Sequence, residues 1–280
     1  MYLCIKIAAQ GAITAFATRG PMMSEMPLTY YTTHAAMTDI IKRYIIKGLP
    51  GWLVAVCFVF ATWCHVAAQK LPDMQIPDFT EIKKAVNDPA SPFYYPNLVR
   101  KYNAKDTTMT HEEFRYYYLG YIFQEDYNPY RKSEYSHQLD RLYKQSQHSV
   151  GECENIVKFA LLTLADDPFD LRQMNILIYA LKEQNKYKEA AIWEFRMNHL
   201  IQAILSTGDG KAPETAWYVI SPVHEYNILN RLGLTGKDFV FVEPYYDYVE
   251  VDKNPLKIEG YYFNVHHILD VFDRKYRYEE

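Results

Sequence analysis

The side chains that could do chemistry fall in a few short segments of this 280-residue chain. His111-Glu112 begins like a helical zinc site, which needs a second His four residues after the first so that both imidazoles share one helix face. Position 115 is Arg, and the pair is missing. Asp126-Tyr127-Asn128 begins like a calcium loop, but Tyr130 and Arg131 stand where an oxygen ligand and a glycine are required. Gly208-Asp209-Gly210 could let a backbone approach a phosphate. It lacks the spacing and the Lys of a phosphate loop, so a helix terminator followed by a turn accounts for it better. Ser221 precedes Pro222 and lacks the small-residue elbow that exposes a catalytic serine. His224-Glu225-Tyr226 and His266-His267 complete the set, neither with a partnered nucleophile, and on a strand two adjacent histidines would face opposite ways. This inventory predicts no catalytic residue, no metal site and no cofactor. Asp126, Tyr127, Asn128, Arg131, Asp209, His224 and Glu225 remain as candidates for contact with a ligand or partner, or as turn residues that satisfy their own backbone.

The elements that position these groups begin after an extended proline-bounded leader, Pro72 to Pro77. Short helices are expected over Phe79–Asn87 and Pro92–Tyr102. Thr110-His111-Glu112-Glu113 is a capping box, in which hydroxyl and carboxylate each satisfy the other residue's amide. It opens a helix with Phe114, Tyr117, Tyr118, Tyr121 and Ile122 on one face, while Tyr116 and Phe123 point elsewhere. A helix so apolar packs on more than one side or exposes aromatics. After the polar loop 124–132, a helix is expected over 133–147. Three apolar stripes follow: Ile156, Val157, Ala160, Leu161 and Leu164; Leu171, Met174, Leu177, Ile178 and Leu181; Ala190, Trp193, Met197, Leu200, Ile201 and Ile204. Short breaks between them make antiparallel neighbours, and Leu161, Leu177, Leu181, Trp193 and Met197 are expected in the core. After residue 210 the pattern changes. Trp217 to Ile220, Phe239 to Val242, Tyr245 to Val251 and Lys257 to Val265 read as strands, with a short helix over Val223–Arg231 and a hairpin connection at Asn254-Pro255. Helices first and strands later define an α+β fold: a mostly α-helical, repeat-like layer followed by a small antiparallel β-sheet.

Compartment is read from the other end of the chain. Lys42, Arg43 and Lys47 precede an apolar run from Leu49 to Trp63, and Ala67-Ala68 precede Gln69. That order is the order of a secretory signal, with Met37 as its natural start. The run is shorter than the roughly 20 residues of a membrane span. Val56 and Trp63 before Cys57 and Cys64 speak against lipid attachment. Residues 1–36 read as a start-site extension, 37–68 as the signal, and 69–280 as one mature domain with a helical part (79–207) and a strand-rich part (215–265). The product is expected to be exported, periplasmic or secreted, with no membrane span after cleavage. Cys153 is then the sole remaining cysteine, so the core alone holds the fold. A net charge of −4 without a clustered basic stretch speaks against nucleic acid as a partner. Tyrosine is the outlier at 26 residues, several times ordinary usage. Flat rings with a polar tip suit packing, and also peptide or sugar recognition.

Two resemblances add to this reading. Asp167 to Ile204 resembles a tetratricopeptide helix pair through Pro168, Leu177, Leu181, Tyr187 and Ala190, and departs from it at Ile178 and Glu194. One unit is legible, where a freestanding array needs about three. The segments SPFYYPNL (91–98), GYIFQEDYNPYRKS (120–133), DDPFDLR (166–172), STGDG (206–210), HEY (224–226) and YYFNV (261–265) together resemble the secreted bacterial proteins grouped as domain of unknown function 4919. That resemblance implies export and a helical-plus-strand fold, with no activity attached. The expected function is a non-catalytic interaction module of the cell envelope with a protein, peptide or glycan partner. The rival expectation is a hydrolase or carbohydrate-active domain whose site forms from loops 124–132, 206–210 and 224–226.

Overall fold

A computed structural model describes residues 74–276. The extension 1–36, the signal segment 37–68 and the cut before Gln69 lie outside the described residues. The architecture is α+β. Helices α1 (Phe79–Asn87), α2 (Tyr95–Asn103) and α3 (His111–Gly120) lead to a loop with three 3₁₀ turns, then to α4 (Val150–Asp166), α5 (Leu171–Glu183) and α6 (Tyr187–Leu205). The strand-rich part follows as β1 (Trp217–Tyr218), α7 (Val223–Arg231), β2 (Gly236–Val242), β3 (Tyr246–Val251), β4 (Gly260–Asn264) and α8 (His266–Tyr276).

Helix α3 organises the helical part. The Thr110–Glu113 capping box forms as read, and every residue from Phe114 to Gly120 is buried. A helix apolar all round has to be central, and its neighbours supply matching rings. Phe93 stacks on Tyr116 at 3.9 Å, Tyr102 on Tyr117 at 4.7 Å, and Phe195 meets Phe114 edge-on at 5.6 Å. Much of the tyrosine excess is therefore core packing. Arg115 leaves this helix to donate to Gln75 O (2.6 Å) and Ser206 Oγ (2.7 Å), which ties the leader to the end of α6.

Three expectations need correction here. Residues 133–147 form only short 3₁₀ turns, Ser136–Leu139 and Leu142–Lys144. Only Leu139 and Leu142 of those turns are buried, too thin a stripe to hold a full helix against the core. Leu161 is 43% exposed. The buried face of α4 runs through Cys153, Ile156, Ala160, Thr163 and Leu164, which leaves Leu161 on the flank beside Leu177, Leu181 and Trp193. The other four residues expected in the core, Leu177, Leu181, Trp193 and Met197, are buried. The sheet, finally, is mixed. Its order is β1-β4-β3-β2; β2, β3 and β4 form an antiparallel meander, but β1 pairs parallel to β4. A strand that leads through α7 into a three-strand meander meets the meander's last strand running in its own direction.

Candidate functional site

Loop 124–132 is built from internal bonds. Tyr127 donates to Ile220 O at 2.9 Å, and Asn128 Oδ1 accepts from Tyr130 N at 3.0 Å, an Asx turn. Arg131 donates to Asp166 O at 2.8 Å and to both the carbonyl and the carboxylate of Asp126, the latter at 3.0 Å. Ser221 Oγ closes the loop from the other side on Pro129 O at 2.8 Å.

Loop 206–210 has a different anchor. The amides of Asp209 and Gly210 both donate to Thr215 O, at 3.0 and 2.8 Å. Asp209 Oδ1 accepts from Thr215 Oγ1 at 2.6 Å and Lys211 N at 3.1 Å, bonds that hold its carboxyl below the usual range, the Thr215 hydroxyl first. Glycine is obligatory at 208, where a Cβ would lie 2.1 Å from Thr215 O, and favoured at 210, where φ is +67°. This is the helix terminator and turn expected from the sequence.

His224 lies under both layers at 2% exposure. Tyr118 Oη donates to its Nδ1 at 2.7 Å, and its Nε2 donates to Phe169 O at 3.0 Å. Tyr118 Oη in turn accepts from Ile220 N at 3.2 Å. That chain of bonds assigns the Nε2–H tautomer. Burial pushes the imidazole down to about 4, so it is neutral at neutral pH. Glu225 is fully buried one residue on. Six of the seven sequence candidates thus belong to internal turns or, for His224, to a buried network joining α3, α7 and the 166–170 turn; Glu225 is buried in the first turn of α7.

The 166–170 turn also holds a carboxyl that the sequence did not single out. Asp167 accepts from Phe169 N at 3.1 Å, and burial, then the nearby Asp170, pushes it up to about 7. Cys153 is buried on α4, and burial raises its thiol above the ordinary value ahead of Glu183 and Glu152, as an inert structural thiol requires.

An open groove of about 740 Å³ lies where residues 122–127 meet α8. Ile122, Phe123 and Tyr127 give it an apolar wall; Gln124, Glu125, His267, Asp270, Asp273, Arg274 and Lys83 of α1 give it polar groups. His266 and His267 do not sit on a strand. They open α8, whose buried Ile268 and Phe272 face the core. Burial, and then the charge of His266, pushes His267 down to about 4. The signal for α8 was present in the spacing of Val265, Ile268, Leu269 and Phe272, but it follows directly on a strand rich in aromatics. Among the described residues no helix is long and apolar enough to cross a membrane.

Fold and site together define an α+β domain with a tyrosine-lined central helix and an open, mixed-charge groove beside its last helix. The chain belongs to the family described as domain of unknown function (DUF4919), whose model matches residues 80–274. No curated protein and no solved structure matches it.

Proposed function

We propose that the protein is exported to the cell envelope and works there as a binding module without catalysis of its own, holding a glycan or peptide in the groove beside α8. The observation that carries this reading is the contrast in use of polar groups. Asp126, Asn128, Arg131, Asp209 and His224 are taken up by internal bonds, whereas Glu125 of the first loop and Arg274 of α8 stand exposed on a groove that also offers Phe123 and Tyr127. Its volume falls in the range of ligand sites, roughly 300–1,000 Å³, and apolar walls with a few polar groups are their usual lining. Export rests on the order of Lys42, Arg43 and Lys47, the apolar run and Ala67-Ala68. A hydrolase using Asp126, Asp209 and His224 draws less support, since each of these already has an internal partner.

The test is capture of envelope material by the wild type and by a Glu125→Ala/Arg274→Ala variant, read by mass spectrometry for peptides and glycans. Loss of one specific ligand in the variant, at an unchanged melting temperature, supports the groove. Equal capture by both overturns it. The mass of the product from expressing cells checks export: a chain starting at Gln69 supports it, and one retaining Trp63 indicates an anchor.

A further inference from the structure

The amino end of α8 brings three ligand-type atoms together. His266 Nε2 lies 3.6 Å from Asp270 Oδ1, His267 Nδ1 lies 3.6 Å from Asp270 Oδ2, and one ligand atom from each residue falls within 4.8 Å of the others. A separation of 3.6 Å is too long for a hydrogen bond. It is close to the spacing between two ligands of a tetrahedral ion, about 3.3 Å for bonds of about 2.0–2.1 Å. Helical geometry produces it, because residues three and four apart share a face.

His266 packs on Tyr245 at 4.8 Å and His267 on Phe79 at 4.3 Å, ring contacts that supply no hydrogen bond. The other nitrogen of His267, Nε2, is buried with no hydrogen-bond partner among the described residues. An ion at Nδ1 would give the ring a partner on the side that faces Asp270, while Nε2 stays unpaired with or without it. His111 supplies a contrast: both its ring nitrogens are buried without a partner, yet it belongs to no such cluster. Among the described residues no other three His, Cys, Asp or Glu side chains converge this closely.

We propose that His266, His267 and Asp270 bind a divalent first-row transition ion, zinc in particular, at the end of the groove. Two imidazoles and one carboxylate suit zinc, and three protein ligands leave a position open for water or for a donor atom of a bound molecule. His267 and Asp270 also line the groove, so that open position belongs to the same depression. The positive end of the helix dipole opposes a cation here, and the Asp270 carboxylate supplies the compensating charge. The binding module proposed above does not depend on this ion, and the two can fail separately.

The experiment titrates zinc into the purified full chain, made without a histidine tag, by calorimetry at pH 7.5. Cobalt absorption spectra then report the coordination. One ion per chain is expected, with affinity falling at least tenfold in His266→Ala and in Asp270→Asn, both exposed positions whose loss leaves the fold intact. His137→Ala, at an exposed histidine outside the cluster, should bind as the wild type does. His267→Ala also loses contact with Phe79, whose ring lies 4.3 Å away, so the first two variants carry the test. No binding by the wild type, binding unchanged in His266→Ala and Asp270→Asn, or an octahedral cobalt spectrum without nitrogen ligation would overturn the proposal. Loss of zinc binding with ligand capture retained would leave the groove reading standing.

Discussion

His224 and His267 start from the same physics and end differently. Burial pushes both imidazoles down to about 4, yet His224 has a partner at each nitrogen while His267 has neither within hydrogen-bonding distance. Low pKa therefore does not separate structure from function here; the hydrogen-bond accounting around each ring does. His224 ties α7 to Tyr118 of α3 and to the 166–170 turn. His267 stands at the rim of a groove beside a carboxylate it does not bond.

The sharpest break between them is truncation. His224→Ala should cost about 3 kcal/mol or more in urea denaturation, since it strands the Tyr118 hydroxyl proton and the Phe169 carbonyl at roughly 1–3 kcal/mol each. His267→Ala should cost about 1 kcal/mol, because it removes a ring that contributes packing only. Equal losses would erase the distinction.

Acid should separate them from Asp167. Each histidine is depressed below its ordinary 6.5, so its contribution is present above that pH and lost as pH falls toward 4, about 3 kcal/mol apiece at most. Asp167 is raised from 3.8 to about 7, so its contribution is full below pH 4 and lost as pH rises through 7. The two effects oppose each other between pH 4 and 6.5. His224→Gln should flatten the loss of stability on acidification, and Asp167→Asn should steepen it. Denaturation curves at pH 4.5, 6 and 8 decide, and an unchanged slope in His224→Gln would contradict its buried, neutral state.

Smaller effects belong to the turns. Asp209→Ala should cost about 1 kcal/mol, because its carboxylate satisfies a partly exposed turn that water can partly re-satisfy. A loss above about 3 kcal/mol would show that the 206–210 turn holds the two layers together. Smallest is Leu161→Ala, expected to change stability by less than about 0.5 kcal/mol at a flank position. A cost of about 2–5 kcal/mol, that of a buried leucine, would return Leu161 to the core.

Local signals were legible and short-range in kind. The capping box at Thr110, the breaks at Asp166-Asp167-Pro168 and at Asn185, and the turn at Gly208–Gly210 each follow from two to five adjacent residues, and each appears where the sequence places it. The helix over 133–147 was over-read from polar residues with adequate propensity but too few apolar anchors. Helix α8 was missed because an aromatic strand runs directly into it. The candidate loops were correctly picked out as rich in charge and turn formers, but their partners, Asp166, Ile220 and Thr215, lie from 6 to 93 residues away in sequence.

By itself the sequence determined the α+β order of elements, the family and the local caps, because these depend on periodicity and near neighbours. The tertiary structure alone decided that Leu161 lies on a flank, that β1 runs parallel to β4, that His224 is enclosed and that His266, His267 and Asp270 meet beside a groove. Each of these depends on which faces pack together and on which buried polar atoms find partners, and both are settled by contacts between residues that the chain holds far apart.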